Sequence, residues 1–394
     1  MRATLFFFTI VCVVILSSGC RSGQDGLSAA TDTPLPAITS NPTKTATVAP
    51  TQTPTLPHTL YFLVGSQGAS QVWRLERDGA SVTQITHEKT NVDAFAVSPK
   101  DGRIAFISDN QLTLLDEEGE NRSLIADGQA VDINIEDYYF RSQISSPVFS
   151  PDGRMLAYGF DGLHLYDLAT GEDNHVLTNL GNLMGEVFVF SKEAYVPGTW
   201  SPDGRELLII MGYYEGSTLA VMELDTEQPF RRLRSDGPVC CLFDWSPDGR
   251  TILVSNPYYT VDVPGLWRFD AQSGQESVVI SGLQDDGSIN YVGWPKQLGS
   301  GELLFFQVNI RQFSPDVGIP LTLVRSDSNG MNPIQVRAEE FHIREALWDQ
   351  DGSMAIILQS SGNEMIQIIM ARTDGAPLQI LFEGQGIRNL MWGP

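Results

Sequence analysis

Two neighbouring cysteines, Cys240-Cys241, form the one thiol pair in this chain whose chemistry follows from spacing alone. A vicinal disulfide needs an oxidising compartment and strains the peptide between its partners; buried free thiols are the alternative. The five histidines, His58, His87, His164, His175 and His342, are scattered, with no His-Glu-x-x-His or paired spacing, and read as surface or strand histidines rather than ligands. There is no Gly-x-Ser-x-Gly elbow and no Gly-rich phosphate loop leading into a helix. The recurring Asp-Gly pairs carry too few oxygen ligands for calcium and read as turns. No catalytic, cofactor-binding or metal residue is therefore assigned. Recognition chemistry is better represented: Tyr138, Tyr139 and Phe140, Tyr213 and Tyr214, and Tyr258 and Tyr259 stand in polar segments between apolar runs. Aromatics on connecting loops are typical recognition residues, and these seven are the candidate ligand-binding set.

The elements that position them repeat. Seven anchors recur at about 45–55 residues, a period that marks a repeat architecture: Val97-Ser98-Pro99, Phe149-Ser150-Pro151, Trp200-Ser201-Pro202, Trp245-Ser246-Pro247, Trp294-Pro295, Trp348-Asp349 and Trp392-Gly393. After most anchors comes Asp-Gly, then an apolar strand such as Leu207 to Met211, then an alternating strand such as Leu219 to Met222. A Gly-bearing turn and a polar strand, which suits a sheet edge, complete the unit. Four strand types, each seen seven times, predict an all-β fold: a seven-bladed β-propeller with four-stranded blades. Six or eight blades are the alternatives. The domain starts with three strands lacking an inner one (residues 60–86) and ends with one inner strand, Arg388 to Trp392. The carboxyl-terminal strand is therefore expected to complete the amino-terminal blade and seal the ring.

Phe149 to Arg154, Trp200 to Arg205 and Trp245 to Arg250 resemble the repeat of the TolB-type propellers, which is also similar to that of prolyl-oligopeptidase propeller domains. The resemblance covers residues 59–394 and implies that the aromatic-Ser-Pro strand lies innermost. Cys240 and Cys241 then fall near the mouth of the central channel. The second-to-third-strand turns and the connections between blades emerge on one face, and it is this face that holds the aromatic set. Ser17-Ser18-Gly19-Cys20, after the apolar run Leu5 to Leu16, resembles a bacterial lipobox, which implies lipid modification of Cys20 and removal of the preceding residues. That apolar run is too short to span a bilayer.

The expected organisation is a signal peptide over 1–20, a Thr/Pro-rich disordered linker over 21–58 and the propeller over 59–394. A formal charge of -23, from 25 basic and 48 acidic residues, argues against nucleic acid and against anionic lipid. Membrane contact is expected through the amino-terminal lipid only, and the protein is expected to be an extracytoplasmic lipoprotein, with free secretion as the alternative, and a monomer. The leading functional expectation is a non-enzymatic binder of protein, peptide or glycan. The alternatives are a lyase or glycoside hydrolase with carboxylates at the channel mouth, and a structural envelope component like TolB.

Overall fold

Alternating apolar residues, punctuated by glycines that allow tight reversal, give 28 strands among the described residues, in seven antiparallel sheets of four. The computed structural model describes residues 55–394 apart from 66–67, 132–140, 181–192, 214–215, 225, 227–229, 234–241, 257–263, 312–318 and 363. Blade 1 pairs Arg388–Trp392 with Leu60–Val64, Gln71–Leu75 and Val82–Gln84, so the last strand of the chain is the innermost strand of the first blade. The register sets Leu60 opposite Trp392 and Tyr61 opposite Met391, closing the ring as the repeat count requires. The innermost strands of blades 2 to 7 are Val92–Val97, Ser145–Phe149, Ala194–Trp200, Leu242–Trp245, Ile289–Gln297 and Ile343–Trp348.

The Ser-Pro-Asp-Gly motif locks the turn from the first strand to the second. Ser201 N donates to Glu206 O at 2.8 Å, and its hydroxyl donates to Asp203 at 2.7 Å while accepting from Glu206 N at 3.0 Å. The same set recurs around Ser150 and Ser246. Gly102, Gly153, Gly204, Gly249 and Gly352 all lie near φ +70°, which a residue with a Cβ adopts only under strain. Blade 7 keeps the lock with changed chemistry, because the carboxylate of Asp349 takes the place of the serine hydroxyl and accepts from Met354 N at 3.0 Å.

The core divides into seven apolar clusters, one in each seam between neighbouring blades. Indoles fasten four seams near the axis. Trp200, Trp245, Trp348 and Trp392 donate from Nε1 to carbonyls of the preceding inner strand, those of Val148, Thr199, Trp294 and Trp348, at 3.3, 3.3, 2.8 and 2.7 Å. At the seam from blade 1 to blade 2, where Val97 replaces the tryptophan, Val97 N instead meets Met391 Sδ at 3.0 Å.

Packing against the blades includes residues from the segment expected as linker. Leu56 is buried in the cluster between blades 1 and 7, and Thr55 N and Leu56 N both bond to Arg77 O. Leu56 is a large apolar side chain in a polar stretch, and burying it offsets the entropy of ordering these residues.

Candidate functional site

Within a blade the second and fourth strands run parallel to each other. The turn from second to third strand and the exit to the next blade therefore leave on one face. The short locked turns leave on the other. Segments 132–140, 181–192, 257–263 and 312–318 connect strands on the first, elaborated face. Tyr138, Tyr139, Phe140, Tyr214, Tyr258, Tyr259, Cys240 and Cys241 lie outside the described residues, as does Cys20. Tyr213 ends the strand Glu206–Tyr213 in blade 4, on the elaborated face; its side chain is likewise outside the described set. Next to segment 132–140, Arg141 pairs with Asp161 at 3.1 Å, fixing the turn between Met155–Gly159 and Gly162–Asp167 of blade 3.

The inner strands show a second concentration of chemistry. Their charged residues are Asp93, Asp244, Glu345, Lys296, Arg344 and Arg388, so a wall with equal numbers of acids and bases sits inside a strongly acidic protein. Blades 3 and 4 contribute none of them. Asp244 and Glu345 share a cavity of about 290 Å³ with Lys296, between the inner strands of blades 5, 6 and 7. Asp244 accepts from Lys296 Nζ at 3.2 Å. Glu345 accepts from the closing strand, Leu390 N at 2.6 Å and Asn389 N at 2.8 Å. Enclosure by the ring holds both carboxyls above their usual range, against the opposing pull of Lys296 on Asp244 and of the two N–H groups on Glu345. Asp244 is nevertheless wetted, with 34% of its side chain accessible. Asp93 is raised in the same sense by desolvation, against Arg388. The turn acids behave in the opposite way. Hydrogen bonds from Ser150, Ser201 and Ser246 lower Asp152, Asp203 and Asp248.

A scan against protein-family models and a search of curated proteins each give no match to this chain. Solved structures do match. A Mycobacterium tuberculosis puromycin-hydrolyzing peptidase has a TM-score of 0.56 at 12% identity, covering 82% of this chain and 52% of its own. An oligogalacturonate lyase from Vibrio parahaemolyticus scores 0.51 at 13% identity, covering 82% and 84%. TolB from Acinetobacter baumannii scores 0.44 at 14% identity, covering 85% and 82%. The fold is that of a β-propeller. At such identities the likeness extends to the fold alone.

Two features of the wall and blades escape the sequence reading. The histidines are not all separate: His164 and His175, on paired strands of blade 3, stack at 4.3 Å and 10°. Asp173 accepts from Tyr158 at 2.7 Å and lies 3.2 Å from His164 Nδ1. Cross-strand partners eleven residues apart follow from turn length and a bulge at Leu163/His164, and no linear motif marks them. Among the described residues no group of three His, Cys, Asp or Glu side chains is arranged to hold a metal ion. The wall acids did leave a signal, since Asp244 directly precedes Trp245 and Glu345 lies three residues before Trp348, inside strands expected to be innermost.

Proposed function

We propose that this chain is a surface-tethered, non-enzymatic β-propeller that captures a protein, peptide or glycan on its elaborated face. The supporting observation is the segregation of connections: locked turns close one face, and the long aromatic-bearing segments join strand ends on the other. A rigid ring that presents variable loops on one side suits recognition. Replacing Tyr138, Tyr139, Tyr213 and Tyr258 with Ala is expected to abolish capture from envelope extract and on a glycan array, with melting unchanged; retained capture would refute this reading. In the same proposal lipidated Cys20 anchors the protein outside the cytoplasm, and Cys20→Ala should move it from the membrane to the soluble fraction.

The enclosed wall acids favour a second reading, a propeller enzyme of lyase or glycoside hydrolase type. A carboxyl held above its usual range keeps its proton to higher pH than a free one and can donate it. Turnover of a polysaccharide by the wild type, lost in Asp244→Asn, would establish this reading over the first.

A further inference from the structure

Blade 6 breaks the repeat. In blades 4 and 5 the serine directly after the tryptophan opens the locked turn, with Ser201 N donating to Glu206 O and Ser246 N to Thr251 O. Trp294 is followed by Pro295, which has no N–H to donate. The turn opens instead at Leu298, whose N donates to Glu302 O at 2.9 Å, and Pro295-Lys296-Gln297 are carried as an insertion in the inner strand. Register slips between Gly293 and Lys296, and Trp294 takes φ +50°, a conformation that a bulky residue holds only under constraint. Among the described residues its indole makes no bond to the inner strand of blade 5, and it lies edge-on to Phe306.

The cavity shared by Asp244, Lys296 and Glu345 opens at this break, walled mainly by Leu242, Phe243, Trp294, Pro295, Leu347 and Trp348. Its lining carries two carboxylates and one ammonium, and that ammonium is already engaged by Asp244. Glu345 has backbone N–H partners but no cation paired with it among the described residues. Each Glu345 oxygen is left with one lone-pair direction. A compact ammonium with rotatable donors can meet either direction singly, without the planar alignment to both oxygens that a guanidinium fork requires. Two carboxylates with a lysine between them also fall short of the oxygen count of a divalent metal. Tryptophan walls attract cations, and an acidic protein concentrates them nearby.

We propose that the cavity between the inner strands of blades 5, 6 and 7 binds a ligand-borne primary ammonium group on an apolar stem, such as a lysine side chain or a peptide amino terminus. The site is independent of the elaborated face and does not rest on the aromatic loops. A bound cation offsets the desolvation that raises Asp244 and Glu345, so binding strengthens as the carboxyls ionise.

The test titrates the full-length chain with n-butylammonium, and with 1-butanol and butyrate as neutral and anionic controls, by calorimetry at low salt. Butylammonium is expected to saturate at an affinity on the order of millimolar or tighter, and the controls are not. Asp244→Asn is expected to weaken binding about tenfold, and Ala346→Phe, which fills the cavity, to abolish it. Affinity should also fall as pH is lowered through the raised values of the two carboxyls. Glu345→Gln is expected to match Asp244→Asn; because Asp244 makes no bond to the closing strand, its variant keeps the test valid if loss of Glu345 unfolds the ring. Absent saturation, butanol binding as tightly as butylammonium, or affinity unchanged in both Asp244→Asn and Ala346→Phe would each overturn the proposal.

Discussion

The seam that closes the ring and the seam between blades 5 and 6 grow from the same repeat and end as opposites. Between blades 7 and 1 the cluster contains thirteen buried apolar residues, Leu56 to Leu390 in chain order, and Trp392 and Glu345 add polar stitches to it. Between blades 5 and 6 the cluster contains six, Leu253, Leu266, Val292, Leu303, Phe305 and Val324, and the indole fastener is missing. The chain passes from blade 7 into blade 1 through residues 385–388, as it passes between every other pair of neighbouring blades, so backbone continuity does not distinguish the two seams. What is particular to the closing end is that the last strand is held to Leu60–Val64 by pairing alone, with no turn joining the two. Side-chain packing must secure that joint, and the closing cluster is correspondingly large. The inner strand of blade 6 is joined to its second strand by a turn and tolerates a bulge, a tryptophan at positive φ and a cavity beside it.

The largest expected effect comes from breaking the strong seam. Deleting residues 388–394 removes a whole inner strand and should cost a sum comparable to a domain's margin of about 5–15 kcal/mol. The expected product is aggregated or protease-sensitive, and a melting temperature equal to that of the intact chain would contradict closure. Next in size is the contrast between fasteners. Trp245→Phe removes the bond to Thr199 O and should lower stability by about 0.5–1.5 kcal/mol, whereas Trp294→Phe, with no such bond to lose, should cost less. Urea midpoints at constant m-value measure both.

The smallest and most diagnostic effect is the response to pH. Asp244 and Glu345 have folded values raised above the unfolded ones, so the stability they contribute is full below the unfolded value, about pH 4, and is lost as pH rises through the raised value. Asp152, Asp203 and Asp248 are lowered, so theirs is present above about pH 4 and is lost as pH falls through the folded value. Stability should therefore peak in mild acid. Asp244→Asn should flatten the neutral arm of the melting profile and Asp203→Asn the acid arm; identical profiles for the two variants would separate neither group from the other.

The ring was legible because its determinants are local. A tryptophan or phenylalanine, a serine two residues before an aspartate and a glycine at positive φ specify the turn within six residues, and the count of such units specifies closure. Even the altered anchor Trp348-Asp349 could be placed, since a carboxylate accepts the same N–H as a serine hydroxyl. Trp294-Pro295 marked the right strand but hid the three-residue insertion, because the displaced turn at Leu298-Gly299-Ser300-Gly301 lacks the Asp that identifies the others. The wall acids could be placed on inner strands, but their partners were not legible. Asp244 and Lys296 are 52 residues apart and Glu345 and Leu390 are 45 apart, and they meet only because neighbouring blades bring their inner strands side by side. The aromatic set was chosen on composition, and its residues fall outside the described part of the chain apart from the backbone of Tyr213.

Amide hydrogen exchange on the intact chain tests the contrast of seams most directly. Amides of residues 388–392 paired with Leu60, Tyr61 and Leu63 should exchange only with global unfolding, as slowly as the central strands, while those of 242–245 and 289–297 exchange faster through local opening. A closing strand that exchanges like a free terminus, or a blade 5–6 seam as protected as the closing one, would contradict the account.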